Sequence, residues 1–125
     1  MIEHRNYPRT KVSFPAILNE SDGNHEVPCS VKNISEKGIC FTIPKSAPYA
    51  DRIRVGASLH FQFIDNFRYG MGQNEEYLSE DCEIKYLVSD DKTITAGCYL
   101  ATEAFRKYVI RRQTAQVLSY RSYGA

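Results

Sequence analysis

Apolar and polar residues alternate in a series of short runs, and this period-two pattern limits the fold more than any other feature of the chain. In the clearest run the apolar residues share one parity: Leu78, Cys82, Ile84, Tyr86 and Val88. Successive side chains of a strand point to opposite faces, so this segment is predicted as a strand with one buried face. The parity places all five side chains in the core.

Comparable runs separated by turn-forming residues predict the other strands, at about residues 12–18, 27–31, 39–43, 59–63 and 94–100. The segment from Asp65 to Ser79 is predicted as a long polar connection. Six strands with short turns favour a closed or nearly closed antiparallel barrel, because closure removes the exposed edges of an open sheet.

The period changes from that of a strand to that of a helix after Thr102. One side of the predicted helix, at about residues 103–120, is apolar: Ala104, Phe105, Tyr108, Ala115 and Leu118. Thr102 or Glu103 is expected to cap its start. The sequence thus predicts an all-β domain over residues 11–125, a six-stranded antiparallel barrel with a C-terminal helix packed on it, after a flexible basic arm at residues 1–10.

Charge and hydropathy exclude several classes of function. A formal net charge of +1 over 125 residues argues against a protein that coats DNA, so a basic binding site must be local. No segment approaches the roughly 20 apolar residues of a membrane span, and no hydrophobic signal region follows the first residues. These features predict a cytoplasmic protein.

The cysteines and histidines give no indication of a metal site or of catalysis. The four cysteines lie far apart, without a Cys-x-x-Cys pair, and are predicted as free thiols of the core: Cys29, Cys40, Cys82 and Cys98. The three histidines are equally scattered, and no Ser/His/Asp or Cys/His grouping indicates a nucleophile. We therefore expect no enzyme, no metal and no cofactor.

Arg5 and Arg9 form an Arg-x-x-x-Arg motif on the arm. The planar guanidinium fork matches the O6 and N7 acceptors of guanine or two phosphate oxygens, and its flat face stacks on a purine. Two arginines on a polar arm are, taken alone, more often solvated charges.

Asn33, Ser35 and Gly38 form an Asn-x-Ser-x-x-Gly motif in the turn between the second and third predicted strands. Asn33 and Ser35 are two residues apart, so both face one side of an extended chain and offer acceptors to the N1–H and N2–H2 donors of guanine. Gly38 is expected to adopt positive φ and to let a ligand approach the backbone. This motif alone is commonly turn chemistry. Together the two motifs supply complementary halves of a purine-phosphate site.

In this order and beside these strands, the motifs resemble the ligand-binding signature of PilZ domains, small β-barrels that typically bind cyclic di-GMP. The resemblance extends over nearly the whole chain, and Ala96-Gly97-Cys98-Tyr99-Leu100 is similar to the family's final strand. His4 stands where many members have an additional arginine, which leaves open whether one ligand molecule binds or two.

The resemblance also implies a role for each motif residue. Arg5 and Arg9 would contact the guanines and phosphates of cyclic di-GMP. Asn33 and Ser35 would hydrogen-bond a guanine edge, and Gly38 would shape the turn.

The resemblance implies a non-catalytic receptor that relays cyclic di-GMP binding to a protein partner, in a process such as motility or biofilm regulation. One alternative is a ligand-independent adaptor, although such domains usually lack the arginines. The other is a barrel that binds single-stranded nucleic acid on its nine tyrosines and six phenylalanines, most of which occupy core positions. Ile110 and Val117 point away from the apolar side of the predicted helix and are candidates for a homodimer face.

Overall fold

The computed structural model describes residues 9–20, 25–69, 72–100 and 102–124. These residues form six β-strands and one long α-helix: β1 Thr10–Asn19, β2 Glu26–Ser35, β3 Gly38–Pro44, β4 Ser58–Tyr69, β5 Gly72–Ser89, β6 Thr93–Tyr99 and α1 Glu103–Gly124. A short 3-10 helix at Ala50–Arg52 lies between β3 and β4.

The strands close into an antiparallel barrel in the order β1-β2-β3-β6-β5-β4. It consists of two three-stranded meanders, β1–β3 and β4–β6, which are joined at two places. The first junction, here called the long seam, pairs β3 with β6 from Gly38↔Tyr99 to Pro44↔Thr93. The second, here called the short seam, pairs β1 with β4 only at Ile17–Asn19. The predicted antiparallel barrel with a C-terminal helix is confirmed.

Side chains from every strand fill the interior of the barrel. The largest fully buried ones on the strands are Phe41, Phe61, Leu18, Ile34, Ile43, Ile84 and Val31. Their aromatic rings make contacts across the barrel; the ring centroids of Phe41 and Phe61, for example, are 6.5 Å apart.

The four cysteines are free and buried, as predicted. Burial raises the pKa of the Cys29 thiol to about 12, with a smaller contribution from Cys82. A hydrogen bond with Cys82, together with burial, raises the pKa of Cys98 far above its usual range. Thiols in this state stay protonated and behave as small apolar side chains.

A β-bulge at Lys85 changes which side chains of β5 face the core. Lys85 is an extra residue relative to β6, so the alternation of inward and outward positions shifts by one beyond it. Leu87 therefore packs against the core, whereas Tyr86 and Val88 face outward with 38% and 63% of their surface exposed. The prediction that Tyr86 and Val88 lie in the core was wrong for this reason.

The predicted polar connection between Asp65 and Ser79 was also wrong. β4 and β5 continue as a paired hairpin through this segment, from Asp65↔Glu76 to Tyr69↔Gly72. Backbone pairing extends both strands, and the inward-facing Asp65 interrupts the apolar alternation that would have indicated it.

Helix α1 packs on the part of β4 that lies beyond the short seam. Over residues 103–115 of the helix the buried residues are Phe105, Tyr108, Val109 and Ala115, while Ala104 is exposed. The prediction of Ala104 as a core residue was wrong, and Val109, which was not predicted, is buried. The side chain of Leu118 lies outside the described residues. The Thr102 hydroxyl accepts a hydrogen bond of 3.2 Å from the Phe105 N–H, which confirms Thr102 as the cap.

A buried polar cluster fixes the helix against the sheet. The Tyr108 hydroxyl donates to the carboxylate of Asp65, which is only 4% exposed. Arg112 Nε lies 3.4 Å from Asp65 Oδ2, and its guanidinium stacks 5.3 Å from the centroid of the Phe67 ring. These contacts satisfy a buried charge that would otherwise be costly.

In the described ranges, no helix has both the length and the apolar character needed to cross a membrane.

Candidate functional site

An open cavity of about 200 Å³ lies on the outside of the barrel, above the long seam. Its lining comes from the residue before β1, the end of β2, the β2–β3 turn, the start of β3, and parts of β5 and β6: Arg9, Asn33, Ser35, Lys37, Gly38, Ile39, Cys40, Lys85, Tyr86, Gly97, Cys98 and Tyr99. Four of the five predicted site residues are in this set, and Arg5 lies outside the described residues. The cavity therefore brings both sequence motifs together.

A second bulge, in β2, directs Asn33 and Ser35 toward the cavity. Lys32 is an extra residue relative to β3, so Val31 and Ile34 are both buried although they are three residues apart. Asn33 and Ser35 then share the outer face, as their spacing predicted. Within the described part of the chain neither side chain has a hydrogen-bond partner, which leaves their polar atoms available to a ligand.

Gly38 is required by a close approach between strands rather than by its φ angle. A Cβ atom at this position would lie 2.2 Å from the carbonyl oxygen of Cys98 on β6. Among the described residues, positive φ occurs at Tyr49 and Gly56 only, so the expectation of positive φ at Gly38 was wrong. A hydrogen atom in place of a side chain lets the long seam begin at the turn itself.

The β2–β3 turn is also held from the opposite meander. The N–H of Leu100, just after β6, donates a hydrogen bond of 2.9 Å to the carbonyl oxygen of Lys37. This bond fixes the turn that carries the second motif relative to β6.

Tyr86 and Gly97 form a wall of the cavity that the sequence motifs do not include. A Cβ atom on Gly97 would lie 2.0 Å from Tyr86 Cε1 and 2.4 Å from its Cζ, so the ring rests directly on the glycine backbone. The glycine in the final predicted strand was visible in the sequence. The position of Tyr86 was not, because the bulge at Lys85 has no distinctive residue pattern.

Lys85 lies beside Tyr86 at the edge of the same cavity. Its Nζ is 2.7 Å from Glu83 Oε2 and 5.7 Å from the centroid of the Tyr99 ring. With Arg9 and Lys37, it gives the cavity three basic side chains next to polar and aromatic ones. Such a surface can hold a planar, anionic ligand. No group of His, Cys, Asp or Glu in the described ranges could hold a metal ion.

A row of three side chains elsewhere on the barrel was not anticipated from the sequence. His60 Nε2 lies 2.5 Å from Ser79 Oγ, and His60 Nδ1 lies 3.0 Å from Asp81 Oδ1, on the outer face of β4 and β5. The Asp81 side chain is 94% exposed, and a solvated carboxylate holds a partner only weakly. We interpret the row as cross-strand hydrogen bonding on the sheet surface.

Comparison with known proteins gives one family and a set of similar folds. The family model described as PilZ domain matches residues 3–99. No curated protein matches the sequence. Two solved structures with this fold are the PilZ domain of YcgR from Escherichia coli with c-di-GMP, and the inhibitor of motility MotI/DgrA from Bacillus subtilis.

The match to the Escherichia coli domain has a TM-score of 0.67 at 14% identity and covers 98% of both chains. The match to the Bacillus subtilis protein has a TM-score of 0.60 at 19% identity and covers 90% of this chain. This chain spans about half of that protein, 52% of its length. At these identities the similarity establishes a shared fold.

Proposed function

This chain belongs to the PilZ domain family, and on that premise we propose that it is a receptor for cyclic di-GMP, which it binds in the cavity above the long seam. The observation that carries the proposal is the convergence of Arg9, Asn33, Ser35 and Gly38 on one cavity. A turn motif with a purely structural role would have its Asn and Ser bonded to local backbone. Here both side chains instead line the cavity.

In the proposed complex each residue type matches one part of the ligand. Arg9 contacts a phosphate or the O6/N7 edge of a guanine, and Arg5 joins it from the arm at residues 1–10. Asn33 and Ser35 accept hydrogen bonds from the opposite guanine edge. Gly38 shapes the turn that carries Asn33 and Ser35, because a Cβ atom there would overlap the Cys98 carbonyl oxygen of β6.

The proposed receptor acts in the cytoplasm through a protein partner and catalyses no reaction. The Escherichia coli structure with the same fold is a PilZ domain with c-di-GMP, which supports the choice of ligand. The Bacillus subtilis protein is an inhibitor of motility, which supports motility as the process to examine first. A homodimer formed through Ile110 and Val117 would be one way to pass on the signal.

Calorimetric titration with cyclic di-GMP tests the proposal. A charge-assisted contact is worth about 1.5–3 kcal/mol and a neutral one about 1 kcal/mol. Arg9→Ala should therefore weaken binding roughly 10- to 150-fold, and Ser35→Ala several-fold. Arg106→Ala, which removes an exposed arginine of α1, serves as the control and should bind like the wild type. Equal affinity in the wild type and in a variant with both Arg5 and Arg9 changed to alanine would refute the receptor.

A further inference from the structure

We propose that the bulge of β5 is a third ligand-contacting segment, in which Tyr86 stacks on a purine ring and Lys85 contacts a phosphate. This inference rests on the proposed cyclic di-GMP site. It adds a contact surface from the β4–β6 meander, which carries neither of the two sequence motifs.

The bulge allows two consecutive residues to face the same cavity. In a regular strand Lys85 and Tyr86 would point to opposite faces, and one of them would enter the core. The extra residue at Lys85 leaves both exposed, and both line the cavity together with Arg9, Asn33 and Ser35. Bulges commonly re-aim side chains at binding sites.

Tyr86 is suited to stacking because its ring is already held. The ring rests on the backbone of Gly97, where any Cβ would displace it, and 38% of the residue is still exposed. A ring fixed before binding loses little conformational entropy when a base stacks on it. Aromatic side chains accept any base on their π-face, so Tyr86 would add affinity while Asn33 and Ser35 select guanine.

Lys85 is suited to a phosphate because its present partner is weakly held. Its Nζ is 2.7 Å from Glu83 Oε2, but the two side chains are 54% and 46% exposed. Ion pairs this exposed contribute little, since water and salt screen them. The Glu83 carboxylate thus occupies an anion position beside Lys85, from which a ligand phosphate can displace it.

Substitutions at Tyr86 test the stacking. Tyr86→Leu should weaken cyclic di-GMP binding roughly five- to fiftyfold, whereas Tyr86→Phe, which keeps the ring, should bind like the wild type. Tyr77→Leu changes another exposed tyrosine of β5 outside the cavity lining and is the matched control. The chain has no tryptophan, so its emission comes from tyrosine. Ligand-induced quenching of that emission should be smaller in Tyr86→Phe than in the wild type at equal saturation.

Charge substitutions test the phosphate contact. Lys85→Gln should weaken binding roughly three- to tenfold and flatten its salt dependence. Glu83→Gln should tighten binding several-fold by releasing Lys85, and this gain should shrink in the Lys85→Gln background. Lys92→Gln, an exposed lysine outside the cavity lining, should behave like the wild type.

The results separate the inference from the proposed function. Wild-type binding combined with control-like affinities in Tyr86→Leu and Lys85→Gln would overturn the role of the bulge and leave the receptor intact. Absence of binding in the wild type would overturn both. If Tyr86→Leu proves unfolded by circular dichroism, unreduced quenching in Tyr86→Phe would overturn the stacking contact and reduced quenching would support it.

Discussion

The absence of a side chain at Gly38 allows β3 and β6 to approach each other closely. Gly38→Ala should lower the free energy of unfolding by about 1–3 kcal/mol, the usual cost of overpacking, because the new Cβ would overlap the Cys98 carbonyl. That oxygen belongs to the backbone of the long seam and cannot rotate away. Urea unfolding monitored by circular dichroism measures the change.

Gly56→Ala is the matched comparison for Gly38. Gly56 has a φ of 88°, and a Cβ atom added there would meet no other atom within 4 Å, so its substitution strains the backbone without an overlap between strands. It should leave ligand affinity unchanged, whereas Gly38→Ala should lower both stability and affinity. Wild-type stability in Gly38→Ala would contradict the close approach.

The sequence identifies the motif residues of the proposed site, but it does not reveal the bulges and strand pairing that position the site's side chains. Asn33 and Ser35 could be placed on one face from their spacing alone. Lys85 and Tyr86 could not be found, because the alternation of Ile84, Tyr86 and Val88 continues unbroken in the sequence through the bulge. A bulge depends on how two strands pair, and one strand's sequence does not contain that information.

Among the elements, β4 and α1 depend on each other through Asp65. An inward-facing aspartate would count against a strand in any sequence reading, and only its partners on the helix explain it. The length of β4 could therefore not be predicted, whereas the helix itself could, from its apolar spacing and the Thr102 cap.

Removal of the Asp65 carboxylate should loosen the helix from the barrel. Asp65→Ala should lower the free energy of unfolding by about 3 kcal/mol, as expected when one partner of a buried ion pair is lost. Asp81→Ala, which removes an exposed carboxylate on the neighbouring strand, should change stability little. Equal urea midpoints for the two variants would show that the cluster does not support the helix.

Tyr108 should make the stability of the protein fall at alkaline pH. Burial, and secondarily the hydrogen bond to Asp65, raise the pKa of Tyr108 above its ordinary value of 10.0. Above about pH 10 the unfolded chain loses this proton while the folded chain keeps it, so stability decreases as pH rises.

The Tyr108→Phe variant isolates this contribution to alkaline stability. It should be less stable at pH 7, where the hydrogen bond to Asp65 is lost, but should lose less stability between about pH 9.5 and 11. Urea midpoints across that range measure the difference. Parallel pH profiles for variant and wild type would argue against a retained proton.

At the scale of the whole molecule, the labelling rate of the buried thiols measures how readily the barrel opens. Cys29, Cys82 and Cys98 belong to the core cluster, whereas Cys40 lines the open cavity. The pKa values of Cys29 and Cys98 are raised, so in a Cys40→Ser variant a thiol reagent should reach the three core thiols only when the barrel opens. Labelling should be slow in buffer and should accelerate with urea in parallel with unfolding. A cysteine introduced at the exposed Ser46 should react at once and provides the reference rate. Rapid labelling of Cys29, Cys82 or Cys98 in the native protein would contradict a closed core.

Because the cavity lies across the long seam, it can form only after the two meanders have paired. Arg9, Asn33 and Ser35 belong to the first meander, and Lys85, Tyr86 and Gly97 to the second. Hairpins within each meander can form quickly, but the long seam joins residues such as Gly38 and Tyr99 that are far apart in the chain, and such pairings form late. In a growing chain the proposed ligand site would thus be completed only late in folding, when β6 pairs with β3.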